Sequence, residues 1–435
     1  MTQINLISLK EVNLNPDVLE TIKKEISSVD DFKEKIKDTL GQDITSVVDF
    51  IIGSAIALDA SDVHLEPQEK EIILRFRLDG VLQDACVIPT DIYNQLISRI
   101  KILSGTKLNI TDKPQDGRFS VKIQGQEPIE IRVSIIPTNH GQSPVLRILN
   151  PKNLIEMKSL GLRKDLAELL EKEIQKPHGM ILVTGPTGSG KTTTLYAILK
   201  KLQSSEIKII TIEDPIEYRL DNITQTQVDV AKGYDFANGL KSIVRQDPDV
   251  ILVGEVRDAD TCQTAIQAAL TGHLVLSTLH TNDAVGTIAR LVVLGQKPSD
   301  MGPAINIIVA QRLIRKVCSK CADEKKITAD EYKMLKENLS PIAKKVGLKE
   351  ISENAKIAHA KGCKACNKTG YAGRAGVYEI FVMNDEAQNF ILENKSAADL
   401  REFARKQGMI TLLQDGLLKV LQKETTLDEI QRILQ

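Results

Sequence analysis

Along the first third of the chain, apolar and polar positions take turns in the pattern of a half-buried strand. Ile72, Leu74, Phe76 and Leu78 alternate with Ile73, Arg75 and Arg77, and Asp79-Gly80 supplies a turn into Val81-Leu82. A second hairpin runs through Phe119, Val121 and Ile123, turns at Gln124-Gly125, and returns through Ile129, Ile131 and Val133. Those six residues make one buried face, which puts Arg118 and Arg132 on the polar one. Val47, Val48, Ile51, Ile52, Ala55 and Ile56 recur at helical spacing instead, with Thr45 or Ser46 as cap. Residues 46–150 therefore predict an α+β domain. The polar stretch before it, 1–45, holds a helical patch around Asp17–Leu40 and reads as a docking element for a partner.

The period changes after Asn150-Pro151-Lys152-Asn153, which reads as a linker placed at 151–157. Strands expected at Met180–Thr184, Lys208–Ile212, Val250–Val253 and Leu274–Ser277 alternate with helical segments, the pattern of an α/β sheet. That domain is placed at 158–435. It includes a Lys-rich helical insertion at 322–362 and an amphipathic helical tail over 385–435, with Leu400, Phe403, Ala404 and Met409 on its apolar side.

The chemistry falls at the ends of those strands. Gly185-Pro186-Thr187-Gly188-Ser189-Gly190-Lys191-Thr192 fits G-x-x-x-x-G-K-[ST], with a strand leading in and a helix from Thr193 leading out. Glycines let backbone N–H groups wrap a phosphate, and the helix N-terminus adds partial positive charge. Lys191 is expected on the β- and γ-phosphates of ATP, and Thr192 on Mg²⁺. Glu255 ends the strand Val250–Val253 and is the candidate for the Mg²⁺ shell or for polarising water; Asp249 lies at the wrong end. Glu213, Asp214 and Glu217 follow another buried strand, and Glu213 is placed to orient or deprotonate the attacking water. His273 and His280 bracket the strand Leu274–Ser277 and are read as a pair beside the site.

Composition narrows the class. The chain has 435 residues, 42% hydrophobic and 26% charged, which suits several globular domains. Lys plus Arg is 57 against 58 for Asp plus Glu. That balance and 3% aromatic content, with no Trp, argue against direct nucleic-acid binding as the main business. No run of 18 apolar residues and no leader at Met1–Lys10 predict a cytoplasmic protein whose membrane association is peripheral.

Taken together these segments resemble the secretion ATPase superfamily, specifically the cytoplasmic motors of type II secretion and type IV pilus assembly. Besides the motifs above, the resemblance rests on Ala60-Ser61-Asp62-Val63-His64-Leu65-Glu66-Pro67, Arg75-x-Arg77-x-Asp79-Gly80, Gln115-Asp116-Gly117-Arg118, Arg245-Gln246-Asp247-Pro248-Asp249, Gly254-Glu255-x-Arg257-Asp258, Thr278-Leu279-His280-Thr281-Asn282 and Gly373-Arg374-x-Gly376. It implies a RecA-like P-loop domain, a preceding α+β (PAS-like) domain and a small zinc-binding insertion. It also implies a homohexamer with ATP held between the two domains, an inner-membrane platform protein, and a cytoplasmic docking protein. Arg118 and Arg132 match arginines of the family that reach the nucleotide's phosphates, and Arg257 belongs to the glutamate motif. The stretch before residue 46 is shorter than in many members of that family.

Cys318-Ser319-Lys320-Cys321 and Cys363-Lys364-Ala365-Cys366 form two C-x-x-C pairs, the pattern of a closed structural Zn²⁺ site at 318–366. Cys86 and Cys262 are expected in the core. Two other functions stay open at this point: a DNA-transfer or nucleic-acid motor, which the Lys-rich flanks of the cysteines favour, and a pilus retraction motor, whose usual members lack the cysteine pairs.

Overall fold

The structure is a computed structural model, and it describes residues 10–14, 16–393 and 396–434. The expectation for the first nine residues falls outside that range. The chain divides into two compact units. One gathers the described residues up to Asn153 with Cys318–Cys321 and Lys361–Ala372; the other comprises Leu154–Val317, Ala322–Ala360 and the described part of Gly373–Gln435.

The first unit is a seven-stranded sheet with helices. Its strands lie in the order Lys10–Leu14, Gln115–Ile123, Ile129–Thr138, Gly141–Leu149, Asp62–Pro67, Ile72–Leu78 and Val81–Ile88. The edge strand Lys10–Leu14 pairs in parallel, and the other pairs are antiparallel. Both hairpins form as the alternation predicts, with Phe119, Val121, Ile123, Ile129, Ile131 and Val133 all buried. The helix Ile44–Ala57 is capped by Asp43, whose carboxylate accepts from the N–H groups of Thr45 and Ser46 at 3.0 and 3.2 Å. Asp43 precedes the expected cap because its oxygen reaches two of the helix's orphan donors.

The segment expected to stand apart at 1–45 does not do so where it is described. Helices Pro16–Glu25 and Val29–Thr39, with Ile26 in the connection between them, bury Leu19, Ile22, Ile26, Val29, Phe32 and Ile36 in the core of this unit. Phe32 packs edge-on against Phe76 at 4.8 Å and stacks on Phe50 at 5.7 Å. Polar composition concealed a stripe of apolar residues three or four apart.

The second unit is a doubly covered sheet. Its strand order is Thr224–Gln227, Ile209–Glu213, Val250–Val253, Leu274–Leu279, Gly179–Thr184, Ile305–Val317 and Tyr371–Val382. The first six run parallel to one another. Their inner residues are buried on both faces, which explains the continuous Val/Ile/Leu runs. The helix Lys191–Leu202 follows the strand Gly179–Thr184 across the glycine loop. The described residues of the tail form the helices Asp385–Leu392, Ala397–Lys406, Leu412–Leu421 and Leu427–Leu434.

The insertion expected to be helical at 322–362 is helical only in part. Strand Asp323–Lys326 pairs antiparallel with Lys356–His359, and the helix Ala329–Leu339 between them starts at a Thr328–Glu331 capping box. The four paired cysteines group with the first unit, whereas the sequence placed them in the 158–435 domain.

Candidate functional site

Parallel strands point the same way, so their C-terminal ends share one edge of the sheet, where Gly185–Lys191 sits. Gly190, the residue before the helix Lys191–Leu202, has φ +87°, and a Cβ there would lie 2.8 Å from Gln311 Nε2. Only glycine fits both demands. Ser189 Oγ is buried in the loop without a hydrogen-bond partner. Lys191 Nζ donates to the carbonyls of Gly185 and Pro186 at 2.9 and 3.1 Å. Burial pulls its ammonium below the ordinary value, Glu255 and Glu217 push it back, and Arg312 adds to the lowering. An unsatisfied hydroxyl, a helix N-terminus and a desolvated ammonium in one loop fit a phosphate. Pro186, Thr187, Gly188, Thr192 and Thr193 complete the loop and the first turn, and Thr192 and Glu255 are the residues that would hold Mg²⁺.

The strand ending at Val253 lies one strand away from the loop's strand, with Leu274–Leu279 between them. Glu255 pairs with the Arg257 guanidinium and stands 3.5 Å from His280 Nε2. Burial and the Lys191 charge hold the His280 imidazole below its ordinary value, against the pull of Glu255. A neutral imidazole beside a partly exposed carboxylate can accept or relay a proton. Asp214 lies close enough for its charge to act on Arg257.

Two expected members sit elsewhere. His273 occupies the opposite end of the strand Leu274–Leu279, with Nδ1 3.0 Å from the Ala268 carbonyl oxygen. Six residues of strand span about 20 Å, so His273 is a structural neighbour of the helix Ala259–Leu270 and is not in the loop's constellation. Glu213 ends a strand three places from the loop's strand and is only 4% exposed. Its carboxylate accepts from Tyr196 Oη, from Thr211 Oγ1 at 2.6 Å and from Gln225 Nε2 at 3.3 Å. Burial pushes it above the ordinary carboxyl range, and those donors pull it partly back. An enclosed carboxylate with three donors braces the phosphate helix, through Tyr196, against two strands.

Other residues escaped the sequence reading. Arg312, on the strand beside the loop's own, donates to the carbonyls of Gln311 and Asn282 at 2.9 and 2.8 Å. Its Nη1 lies 3.1 Å from where a Cβ on Gly185 would stand. Gln311, buried, accepts from Thr194 at 2.7 Å. The available signal was a polar Gln-Arg pair at the end of the apolar run Ile307–Ala310.

In the first unit, Arg118 and Arg132 are register partners on adjacent strands, 3.9 and 3.7 Å from Glu130. Their row continues through Arg147, Asp62 and Arg77, and Asp62 pairs with Arg147 at 3.0 Å and Arg77 at 3.3 Å. Arg147 and Arg77 extend the expected pair into a basic row.

Also in the first unit, the sulfurs of Cys318, Cys321, Cys363 and Cys366 all lie within 4.8 Å of one another. Cys321–Cys366 and Cys363–Cys366 are each 3.8 Å apart. Four thiolates about 2.3 Å from one Zn²⁺ in tetrahedral array stand about 3.8 Å apart. Backbone N–H groups of Cys363 and Gly370 donate to Cys366 Sγ at 3.1 and 3.3 Å, as a ligand thiolate requires. The donor set fits structural zinc. Cys262 is buried and Cys86 half-buried, both as thiols.

A glycine loop between strand and helix, with a carboxylate-tipped strand two places away, defines a RecA-like P-loop ATPase fold. The chain belongs to the Type II/IV secretion system protein family, whose model matches residues 38–432. It is 42% identical over 96% of its length to type II secretion system protein E of Xanthomonas campestris, covering 72% of that protein. It is 39% identical over 95% of its length to the type IV pilus assembly ATPase PilB of Myxococcus xanthus, covering 71%. Among solved structures, the pilus retraction motor PilT with bound ADP matches 88% of the chain and 95% of its own, at TM-score 0.58 and 28% identity. The Legionella pneumophila ATPase DotB shares the fold over 88% of this chain and 94% of its own, at TM-score 0.63 and 22% identity.

Proposed function

We propose that this protein is the ATP-hydrolysing motor of a type II secretion or type IV pilus assembly machine, working as a homohexamer. One observation carries the reading: Lys191, Glu255, His280 and Arg257 meet at the phosphate loop of a chain about 40% identical to members of both systems. Lys191 and the loop amides hold the β- and γ-phosphates. Thr192 and Glu255 would hold Mg²⁺, which would supply charge neutralisation on the transferred phosphoryl group. Glu255 polarises the attacking water and His280 hydrogen-bonds its carboxylate. Glu213 is assigned to positioning, because its oxygens are enclosed and already occupied. Arg118 and Arg132 are assigned to the phosphates, as the resemblance implies, and Arg147 joins them as their register neighbour.

The chain's motion would be passed to an inner-membrane platform protein, with a cytoplasmic docking protein recruiting the motor. No helix among the described residues is long and apolar enough to cross a membrane. The test is complementation of a deletion strain with wild type or Lys191→Ala. Pili scored by electron microscopy, beside the secreted proteome, separate the two machines. Wild-type levels of both in the deletion strain would overturn the reading.

A further inference from the structure

Helix Val29–Thr39 and the second cysteine pair are more than 300 residues apart in sequence, yet they meet in the first unit. The helix starts with orphan N–H donors, as every helix does. Its own cap, Ser28 Oγ, takes the N–H of Asp31 at 3.1 Å. The N–H of Val29 goes to Asn367 Oδ1 at 2.7 Å, a cap supplied from the far end of the chain. Two ion pairs flank it: Lys364 Nζ to Asp31 at 2.7 Å and Lys368 Nζ to Asp30 at 2.7 Å.

The side chains that make these contacts have their positions set by the cysteine turn. Asn367 and Lys368 take consecutive left-handed conformations, φ +51° and +60°. The turn is closed by Lys368 N–H on the Cys363 carbonyl at 2.8 Å and Asn367 N–H on the Lys364 carbonyl at 3.1 Å. Cys363 and Cys366 bound to one ion would lock that turn, and its release would free Asn367.

We propose that the four-cysteine knuckle is the docking partner of the helix Val29–Thr39, and that metal occupancy fastens the helix through the Asn367 cap. The zinc element then orders the N-terminal helices as well as its own loop. The arrangement is a metal-dependent latch inside the first unit. It does not depend on ATP turnover.

Hydrogen–deuterium exchange on the full chain, read by mass spectrometry, tests it. Protein as purified is compared with protein stripped by a zinc chelator and with stripped protein given Zn²⁺ alone. Peptides covering 29–39 should exchange faster once metal is removed and recover with Zn²⁺. Asn367→Gly removes the acceptor while suiting the left-handed backbone. It should retain zinc and speed exchange at 29–39 by roughly fivefold, the effect of losing one helix cap. Should that variant lose zinc, Asp30→Asn, which leaves the knuckle's sequence intact, should give part of the same rise with zinc retained. Unchanged exchange at 29–39 on stripping, while 361–372 speeds up, would overturn the proposal. So would full protection of 29–39 in either zinc-loaded variant, or in protein purified without metal.

Discussion

Removing the Tyr196 hydroxyl measures what the buried glutamate does. Tyr196 is 1% exposed and donates to Glu213, so Tyr196→Phe keeps the packing and deletes one donor. Burial holds Glu213 above its ordinary value of 4.5. The folded chain therefore keeps a proton there that the unfolded chain has already lost. Stability from this group is complete below pH 4.5 and falls as pH rises through the folded value. Tyr196→Phe takes away a donor that favours the carboxylate, raising the folded value further, so its cost must grow with pH. A hydrogen bond to a charged acceptor contributes about 1.5–3 kcal/mol and one to a neutral acceptor about 1 kcal/mol. The expected loss is about 2 kcal/mol with Glu213 ionised and about half that with it protonated. For a domain of this size about 1 kcal/mol moves Tm by about 2–4 °C, so differential scanning fluorimetry across a pH series should show a fall that deepens toward about 4–8 °C at the alkaline end. In a Glu213→Gln background the same substitution should cost about 1 kcal/mol at every pH, a coupling of about 1 kcal/mol. Losses that do not change with pH in either background would refute the reasoning.

Four further outcomes are expected. Glu255→Gln should bind ATP with near wild-type affinity while kcat falls by about 10²–10⁴-fold; lost binding in a filter or fluorescence assay would make the residue structural. His280→Ala should lower kcat whereas His273→Ala leaves turnover unchanged, because only His280 shares the loop's edge of the sheet; equal effects in a coupled ATPase assay would contradict the placement. Arg312→Ala should weaken nucleotide binding by about tenfold or more through the lost cation beside Gly185, and unchanged affinity by calorimetry would leave it a strand-end residue. Cys363→Ser should abolish bound zinc, read by mass spectrometry of the metal, and lower Tm of the unit that carries it.

The parts legible in the sequence are those in which local pattern and tertiary environment agree. The alternation at Phe119–Ile123 and Ile129–Val133 marks a face that is in fact buried, and the glycine loop lies where strand and helix signals bracket it. Helices Pro16–Glu25 and Val29–Thr39 were harder, since Lys and Glu on their outer faces dominate composition while Leu19, Ile22, Phe32 and Ile36 carry the packing. The strand Thr224–Gln227 has no apolar residue at all; backbone pairing to Ile209–Glu213 makes it, and Gln225 supports Glu213 from there. The brace at Tyr196 is invisible because a hydroxyl's partner on another element leaves no spacing in sequence. The position of His273 was misread for a geometric reason: two histidines that bracket a strand are neighbours in sequence logic and opposites in space.

That last point bears on how the site is built. Parallel order forces every strand's C-terminal residue to one edge, and each following helix turns its N-terminus toward that edge. Gly185, Glu213, Gly254-Glu255 and His280 are therefore delivered to one rim by topology, before any side chain makes a contact. What separates their roles is enclosure. Glu213 lies under Tyr196, Thr211 and Gln225, which supply a donor to each of its two oxygens. Glu255 keeps company with Arg257 and His280, two groups with exposed side chains that a phosphate or a water can displace. In the proposed mechanism the two carboxylates on one rim divide the work, one fixing the helix that carries Lys191 and the other meeting the reacting water. Exchanging their environments would undo the division: Tyr196→Phe with Gln225→Ala opens Glu213, and the double variant should gain no turnover in a Glu255→Gln background, because the opened carboxylate still ends a strand three places from the loop's own. Recovered hydrolysis in that triple variant would show that either carboxylate can serve, and that enclosure alone had silenced Glu213.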